Sequence, residues 1–379
     1  MSSTFDAIVI GCGGFGSSAL YHLASRGVKV LGIDRFQPPH DKGSSHGETR
    51  MIRKAYHEHI DYVPLIKNAY VLWRELEERT SQKLYFETGL FFAAPPDSST
   101  ITGAKLAARQ HDLKHEVVPR EDFGRRFPGF KLPEGFEAFL EHEAGYLMVD
   151  ECQRAHLDSA RSLGAELHAD ETVTDWKSEG TGVVVETNRG RYAAERLVIT
   201  AGPWAAQVLS SLNIPLKVAR KPLFWFPIRN ENSPLRTLGA CYFYDMPWGE
   251  FYGFHCRDGR TLKMADHAGG DDVADPLTVD RNVTPRDYEG LAKFLAVAMP
   301  DVSPVPVKSS VCLYTRTPDS HFVVDRHPEY PQVVLGCGFS GHGFKFTSVI
   351  GEALMQLALD GRTEQPVGFL SLSRPALRA

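Results

Sequence analysis

Cysteine is scarce and scattered in this chain. The six thiols (Cys12, Cys152, Cys241, Cys256, Cys312 and Cys337) form no CxxC pair and have no histidines at zinc spacing, which argues against a disulfide framework and a structural zinc. No apolar run approaches the ~20 residues of a membrane helix. The start, MSSTFDAIVIG, lacks the charged beginning and apolar middle of a signal peptide, and the final LRA is not an SKL-type address. A cytoplasmic location is expected. There is no basic excess either: 42 Lys plus Arg against 47 Asp plus Glu leave a formal charge of -5, with no polybasic run. That balance excludes nucleic acid and a membrane surface as natural partners and leaves a small molecule. The sequence contains no internal repeat and no low-complexity tract.

What the chain does have is length and apolar content, since 379 residues with 42% hydrophobic side chains can fill two cores. It opens as strand, glycine turn, helix and strand, in FDAIVI, GCGGFG, SSALYHLASRG and VKVLGID. The turn carries GxGxxG as Gly11, Gly13 and Gly16. The first glycine permits the tight turn, the second lets a pyrophosphate reach the backbone, and the third lets the helix close on the strand, so the helix N-terminus faces the phosphates. Asp34, at the end of the second strand, stands where a ribose hydroxyl would be held. These features mark a dinucleotide site without choosing between FAD and NAD.

Farther on, the pattern predicts a long amphipathic helix over about Tyr62–Arg79, a strand in LYFETGLFFAA, two short helical stretches, FEAFLEHEAGYLMVD, and a helix over Glu151–Leu163. Strands AELHAD, VVVETN and RLVIT then lead to Ala201 and Gly202 with the character of a nucleotide domain. From Pro215 to about Lys308 the chain turns strand-rich and aromatic (PLFWFPI, ACYFYDM, EFYGFH, TLKMADH), with a helix near Tyr288–Ala298. VVLGCGFSGHGFKF and TSVIGEALMQLAL make another strand, glycine turn and helix. The expected fold class is α/β. A Rossmann-like domain of residues 1–85, 144–214 and 309–379 is interleaved with an α+β substrate domain of residues 86–143 and 215–308, built on a mostly antiparallel sheet.

Several local patterns bear on chemistry. In SSVCLYTRTPDSHFVVD the period of two sends Val311 and Leu313 to one face and Cys312 and Tyr314 to the other. Alone, this allows either a small buried hydrophobe at Cys312 or a thiol offered to a ligand. The C-terminal turn, with Gly338, Gly341, Gly343 and Lys345 at a helix start, offers a helix N-terminus and a cation where a flavin gathers negative charge on reduction. Its plain alternative is a turn with an exposed lysine. Arg50 and Arg53 share a face if TRMIR is helical, and a guanidinium fork suits a carboxylate, although a solvated basic face has the same pattern. TLKMADH alternates so that Lys263, Ala265 and His267 point one way, towards a cavity wall or, in the plain reading, to an exposed lysine and a hydrogen-bonded core histidine. Phe243, Tyr252 and Phe254 are pocket walls or core aromatics.

Together, GSSHGETRMIRKAYHE, HAGG, VCLYTRTPDSHFVVD and GFSGHGFKF, in this order behind GxGxxG, resemble the monomeric sarcosine oxidase and N-methyltryptophan oxidase family of flavoproteins, within the D-amino-acid oxidase group. The resemblance runs from about Asp6 to the terminal SRPAL. It implies a monomer with FAD that oxidises an N-methyl or cyclic secondary α-amino acid and reduces oxygen to peroxide. An N-methyl substrate would leave as the amino acid and formaldehyde. By the same resemblance Cys312 holds FAD through a thioether to its 8α-methyl group, and Tyr314 lines the cavity above the ring. Arg50 lies against the flavin with His46 nearby, and Thr49, Val173 and Gly202 join the cofactor contacts. Arg53 and Lys345 grip the substrate carboxylate, His267 contacts the substrate, and Lys263, next to flavin N5 through water, helps oxygen accept electrons. Other readings are an N-methyltryptophan oxidase, a dehydrogenase feeding an electron carrier, a flavin-binding protein without turnover, and a nicotinamide-dependent dehydrogenase. Lys263 argues against the carrier-linked enzyme. Arg53, Lys345 and Lys263 together exceed what cofactor binding alone would require. The nicotinamide reading explains neither Cys312 nor the C-terminal turn. Crowding by Phe243, Tyr252 and Phe254 leans towards sarcosine, N-methylalanine or a small cyclic imino acid such as proline or pipecolate.

Overall fold

A computed structural model describes residues 3–237 and 239–378. Five parallel strands carry the first sheet, in the spatial order Val333–Cys337, Arg191–Ile199, Ser3–Ile10, Val30–Ile33 and Glu166–His168. Antiparallel strands Gly182–Thr187 and Val173–Glu179 extend it on one side, and Val323–Arg326 flanks Val333–Cys337. Ala7–Ile10, the inner half of Ser3–Ile10, is buried on both faces. Ala7 and Val9 pack with helices Gly14–Ser25, Val149–Ser162 and Thr347–Asp360, while Ile8 and Ile10 pack with Val183, Val185 and Leu335. Burial on both faces is why AIVI, after the exposed Asp6, reads as one apolar run.

The second sheet runs Asp271–Val273, Lys217–Pro227, Thr261–Asp266, Gly249–Gly253, Cys241–Met246, Leu90–Ala94, Glu137–Glu141 and His115–Val118, with Lys308–Arg316 also paired to Lys217–Pro227. Among the described residues its pairings are antiparallel except that of Leu90–Ala94 with Cys241–Met246. Parity sorts its faces. Phe224, Phe226, Leu262 and Met264 enter a core closed by helices Arg120–Arg126 and Glu289–Ala298, whereas Leu223, Trp225 and Ala265 pack with Cys312 on the other side. A small sheet of Thr49–Ile52, Gly145–Met148 and Tyr85–Glu87 completes the strands.

The helices expected near 62–79, 151–163 and 288–298 span Tyr62–Thr80, Val149–Ser162 and Glu289–Ala298. Two expectations are corrected. TRMI is a strand paired with Gly145–Met148, so Arg50 and Arg53 share no helical face, and Arg53 lies just past the strand's end. Ser309–Arg316, assigned to the nucleotide domain, belongs to the second sheet, since it pairs with Lys217–Pro227 from Lys217↔Arg316 to Trp225↔Lys308. No helix among the described residues is long and apolar enough to cross a membrane, and among them no group of His, Cys, Asp or Glu is placed to hold a metal ion. All six cysteines are free and buried.

Candidate active site

A cleft of about 150 Å³ lies across the carboxyl ends of the parallel strands, the place where such sheets take ligands. Gly11, Gly13, Asp34, Val173 and Gly202 line one part of it, and the far turn contributes Gly338, Gly341 and Gly343. Gly11 has φ +85°, and a Cβ there would lie 2.6 Å from the Thr200 carbonyl oxygen. At Gly16, which does not line the cleft, a Cβ would lie 1.8 Å from the Gly11 oxygen, whereas at Gly13 it would meet nothing within 4 Å. The outer glycines thus hold turn, strand and helix together while the middle one leaves bare backbone facing open space, the cradle a pyrophosphate fills. Asp34 accepts the Cys12 N–H through Oδ2 at 2.7 Å and the Phe36 N–H through Oδ1 at 2.9 Å, and His40 Nε2 lies 3.4 Å from Oδ1, so Oδ2 is the oxygen that keeps a further lone pair. Arg35 lies 5.5 Å over the Trp204 ring, and its buried Nη1 has no hydrogen-bond partner among the described residues. An orphaned guanidinium nitrogen, an acid and an open glycine backbone on one wall fit the adenosine diphosphate half of FAD.

Cys312 is 1% exposed, with Sγ 3.2 Å from both Arg50 Nη2 and the Ser44 carbonyl oxygen. Burial pushes this thiol up, but Arg50 and then His46 outweigh it and bring it down to about 6. A thiol there is mostly thiolate at neutral pH. Ser44, Arg50, Leu313 and Tyr314 line the cleft and Cys312 does not, so the sulfur sits behind the wall these residues form. His46 lines neither the cleft nor the cavities described below, and its Nδ1 is 3.3 Å from Ser310 Oγ. Thr49 is also off the cleft; its carbonyl oxygen and Oγ1 accept from Lys263 Nζ at 2.7 and 3.0 Å.

A second cavity, of about 70 Å³, shares Arg50, Tyr314, Gly341 and Phe344 with the cleft, so the two adjoin. Arg53, His267 and Lys345 meet here, with Phe243 and Tyr252 among the walls. Arg53 is already engaged. Its Nη2 donates to both oxygens of Glu58 at 2.6 and 2.7 Å, and its Nη1 donates to the Ala55 carbonyl at 2.9 Å. Burial works against ionisation of Glu58, but Arg53 above all holds its carboxyl well below the usual range. Lys345 Nζ donates to the His342 carbonyl at 2.7 Å, and burial followed by the charge of Arg53 brings the ammonium down to about 7. Lys345 lines this cavity and not the cleft. His267 Nδ1 is 3.3 Å from Tyr314 Oη, and burial pushes this imidazole well below its usual range.

Lys263 opens instead on a third cavity, of about 410 Å³, with Glu48, Trp225 and Phe254. The expected common face of Lys263 and His267 therefore does not give a common cavity, because strand Thr261–Asp266 ends before His267. Phe254 likewise leaves the substrate wall, lying 4.7 Å under Lys263 Nζ. Burial first, then Arg50, push Lys263 well below the ordinary lysine range. Sequence reasoning missed Arg35, His57, Glu58 and His342. GFSGHGFKF contains the last of these and GSSHGETRMIRKAYHE ends in His57 and Glu58, but those two lie in an irregular segment with no period to show which way they face.

The position of Lys345 sets a pH dependence. The ammonium is charged below about 7 and neutral above, and a carboxylate needs the charged form. The dissociation constant of methoxyacetate, an isostere of sarcosine that carries no amine, should be flat below that point and rise up to about tenfold per pH unit above it. Titration of flavin absorbance checks this. Lys345→Met should flatten the profile, and a flat wild-type profile would remove the lysine from carboxylate binding.

Comparison with known proteins adds an independent line. Residues 6–357 match the family described as FAD dependent oxidoreductase. The chain is 40% identical to a monomeric sarcosine oxidase of Streptomyces avermitilis over 99% of both chains, and 33% identical to an N-methyl-L-tryptophan oxidase of Yersinia pestis over 98% of this chain and 99% of that one. The solved structure of NikD, described as an unusual amino acid oxidase essential for nikkomycin biosynthesis, superposes with a TM-score of 0.87 at 26% identity, covering 98% of each chain.

Proposed function

The chain belongs to the FAD dependent oxidoreductase family, among the sarcosine and N-methyltryptophan oxidases, and from that premise we propose that it oxidises a small N-methyl or cyclic secondary α-amino acid with oxygen as final acceptor. FAD, when bound, supplies the hydride acceptor. One observation carries the reading: the 70 Å³ cavity that adjoins the glycine cleft and holds Arg53, Lys345 and His267. At the ~30 Å³ that a water occupies in the liquid this is room for about two waters, a space that suits a small substrate better than one carrying an indole.

The chain's own residues then act in order. Arg53 takes the substrate carboxylate through the N–H groups not engaged by Glu58 and Ala55, so that both buried carboxylates share one guanidinium. Lys345 takes the second position on that carboxylate. Hydride leaves only from a neutral amine, and a desolvated nitrogen close to two cations favours that form. His267, kept neutral by burial, and Tyr314 stand as hydrogen-bonding partners beside the reacting carbon. Lys263, in its separate cavity, faces the charge arriving on oxygen, and that charge offsets the burial and the Arg50 repulsion that work against its ammonium form. Cys312 anchors the cofactor. The enzyme works as a cytoplasmic monomer, a reading supported by its similarity to relatives named monomeric.

Peroxide release from a substrate panel tests the function. Sarcosine, N-methylalanine, proline or pipecolate should exceed N-methyltryptophan in kcat/KM, and methylamines without a carboxylate should fail. Preference for N-methyltryptophan would overturn the small-substrate reading. Lys263→Met should slow reoxidation by oxygen far more than anaerobic reduction, as stopped-flow measurement of the two half-reactions would register. Equal slowing of both would remove Lys263 from oxygen chemistry.

A further inference from the structure

Three histidines line the smaller cavity, and two already have partners. His267 meets Tyr314 Oη through Nδ1 at 3.3 Å, and His342 meets Tyr56 Oη through Nδ1 and the Ser320 carbonyl through Nε2 at 2.9 Å. The third, His57, differs. Its Nδ1 is buried and has no hydrogen-bond partner among the described residues. Glu58 Oε2, 3.7 Å away, is outside hydrogen-bond range and engaged with Arg53.

The ring is also held in place. It meets Phe92 edge-on with centroids 5.9 Å apart and Phe243 at 5.8 Å. Behind it, helix Ser99–Gln110 presses on the segment at Gly103, where a Cβ would lie 2.8 Å from the His57 carbonyl oxygen and 3.0 Å from its Cα and Cβ. Burial, helped by Arg53 and Lys345 against the pull of Glu58, brings the imidazole down to about 4. A neutral imidazole offers one donor and one acceptor.

We infer that His57, which lines the cavity, is a specificity-determining residue whose Nε2, the ring nitrogen that keeps accessible surface and makes no hydrogen bond among the described residues, reads a hydroxyl or carboxamide on the α-side chain of the substrate, so that the favoured substrates are N-methyl amino acids with a small hydrogen-bonding side chain. This rests on the oxidase reading above. The substrate carboxylate is taken by Arg53 and Lys345, and the nitrogen with its methyl group must face the cleft where hydride is accepted. The remaining substituent is the side chain, and the wall formed by His57 and Phe243 is left for it. A site whose ring nitrogen needs a partner penalises an isostere that cannot supply one, because the nitrogen then stays unpaired.

The test compares N-methyl-L-serine with N-methyl-L-2-aminobutyrate, which differ only in a hydroxyl against a methyl group. Wild-type enzyme should favour the serine compound by about tenfold or more in kcat/KM. His57→Leu should bring that ratio near one, chiefly through KM, and His57→Gln, which keeps a donor and an acceptor, should restore part of it. Equal kcat/KM for the two compounds in wild-type enzyme, or a ratio unmoved by His57→Leu in protein that retains its flavin spectrum, would overturn the assignment of His57 alone. Failure of every secondary amino acid, sarcosine included, to bleach the wild-type flavin would overturn the oxidase reading and this inference with it.

Discussion

Cys312→Ser should release flavin into the supernatant on acid precipitation, where wild-type protein keeps its yellow colour in the pellet, and should remove most of the activity. The expectation rests on the thiol's surroundings. Burial pushes Cys337 up to about 12 against a lesser pull from Arg374, whereas Cys312 comes down to about 6 beside Arg50 and His46. Thiolate is the nucleophilic form, so of these two buried thiols it is Cys312 that is prepared to form a bond at neutral pH. Arg50→Met should accordingly leave a larger fraction of flavin unattached in freshly folded protein. Free flavin from fully matured wild-type enzyme would rule out the tether.

Arg53→Met should lower kcat/KM for sarcosine by roughly 30- to several-thousand-fold, corresponding to the about 2–5 kcal/mol expected when one partner of a buried charge pair is removed. Part of that loss will appear as lower stability, because Glu58 would be left buried without its fork. Arg53→Met/Glu58→Gln separates the two effects. The double variant should regain Tm without regaining turnover, and full recovery of turnover would mean that Arg53 serves only to neutralise Glu58.

The glycine turn, the parallel strands and most helices were legible because their signals are local: Gly11, Gly13 and Gly16 act within one turn, and Ala7–Ile10 advertises burial on both faces by being apolar throughout. Tyr62–Thr80 shows its buried side at helical spacing. Strand Val173–Glu179 escaped notice, since its residues are half-buried or exposed and carry no apolar alternation. Thr49–Ile52 was assigned no strand because four residues are too few for periodicity, and what makes them extended is the partner strand almost a hundred residues away. The same limit applies at the site. Lys263, His267, Arg53 and Lys345 could be named from motifs, but their division between two cavities depends on where strand Thr261–Asp266 stops. Glu58 and His57 become visible only when the chain folds back on Arg53.

The strand Lys308–Arg316 carries Cys312 within the second sheet, while Gly11–Gly16 belongs to the first. A cofactor cradled by one and, as proposed, bonded to the other would cross-link two sheets that otherwise meet by packing and through the chain itself. Retention then ceases to depend on concentration: an ordinary bound cofactor stabilises by mass action and is lost on dilution, whereas an attached one keeps a fixed local concentration however dilute the protein becomes. Thermal opening of either sheet must strain the other, so flavin fluorescence and far-ultraviolet circular dichroism should report a single shared melting transition.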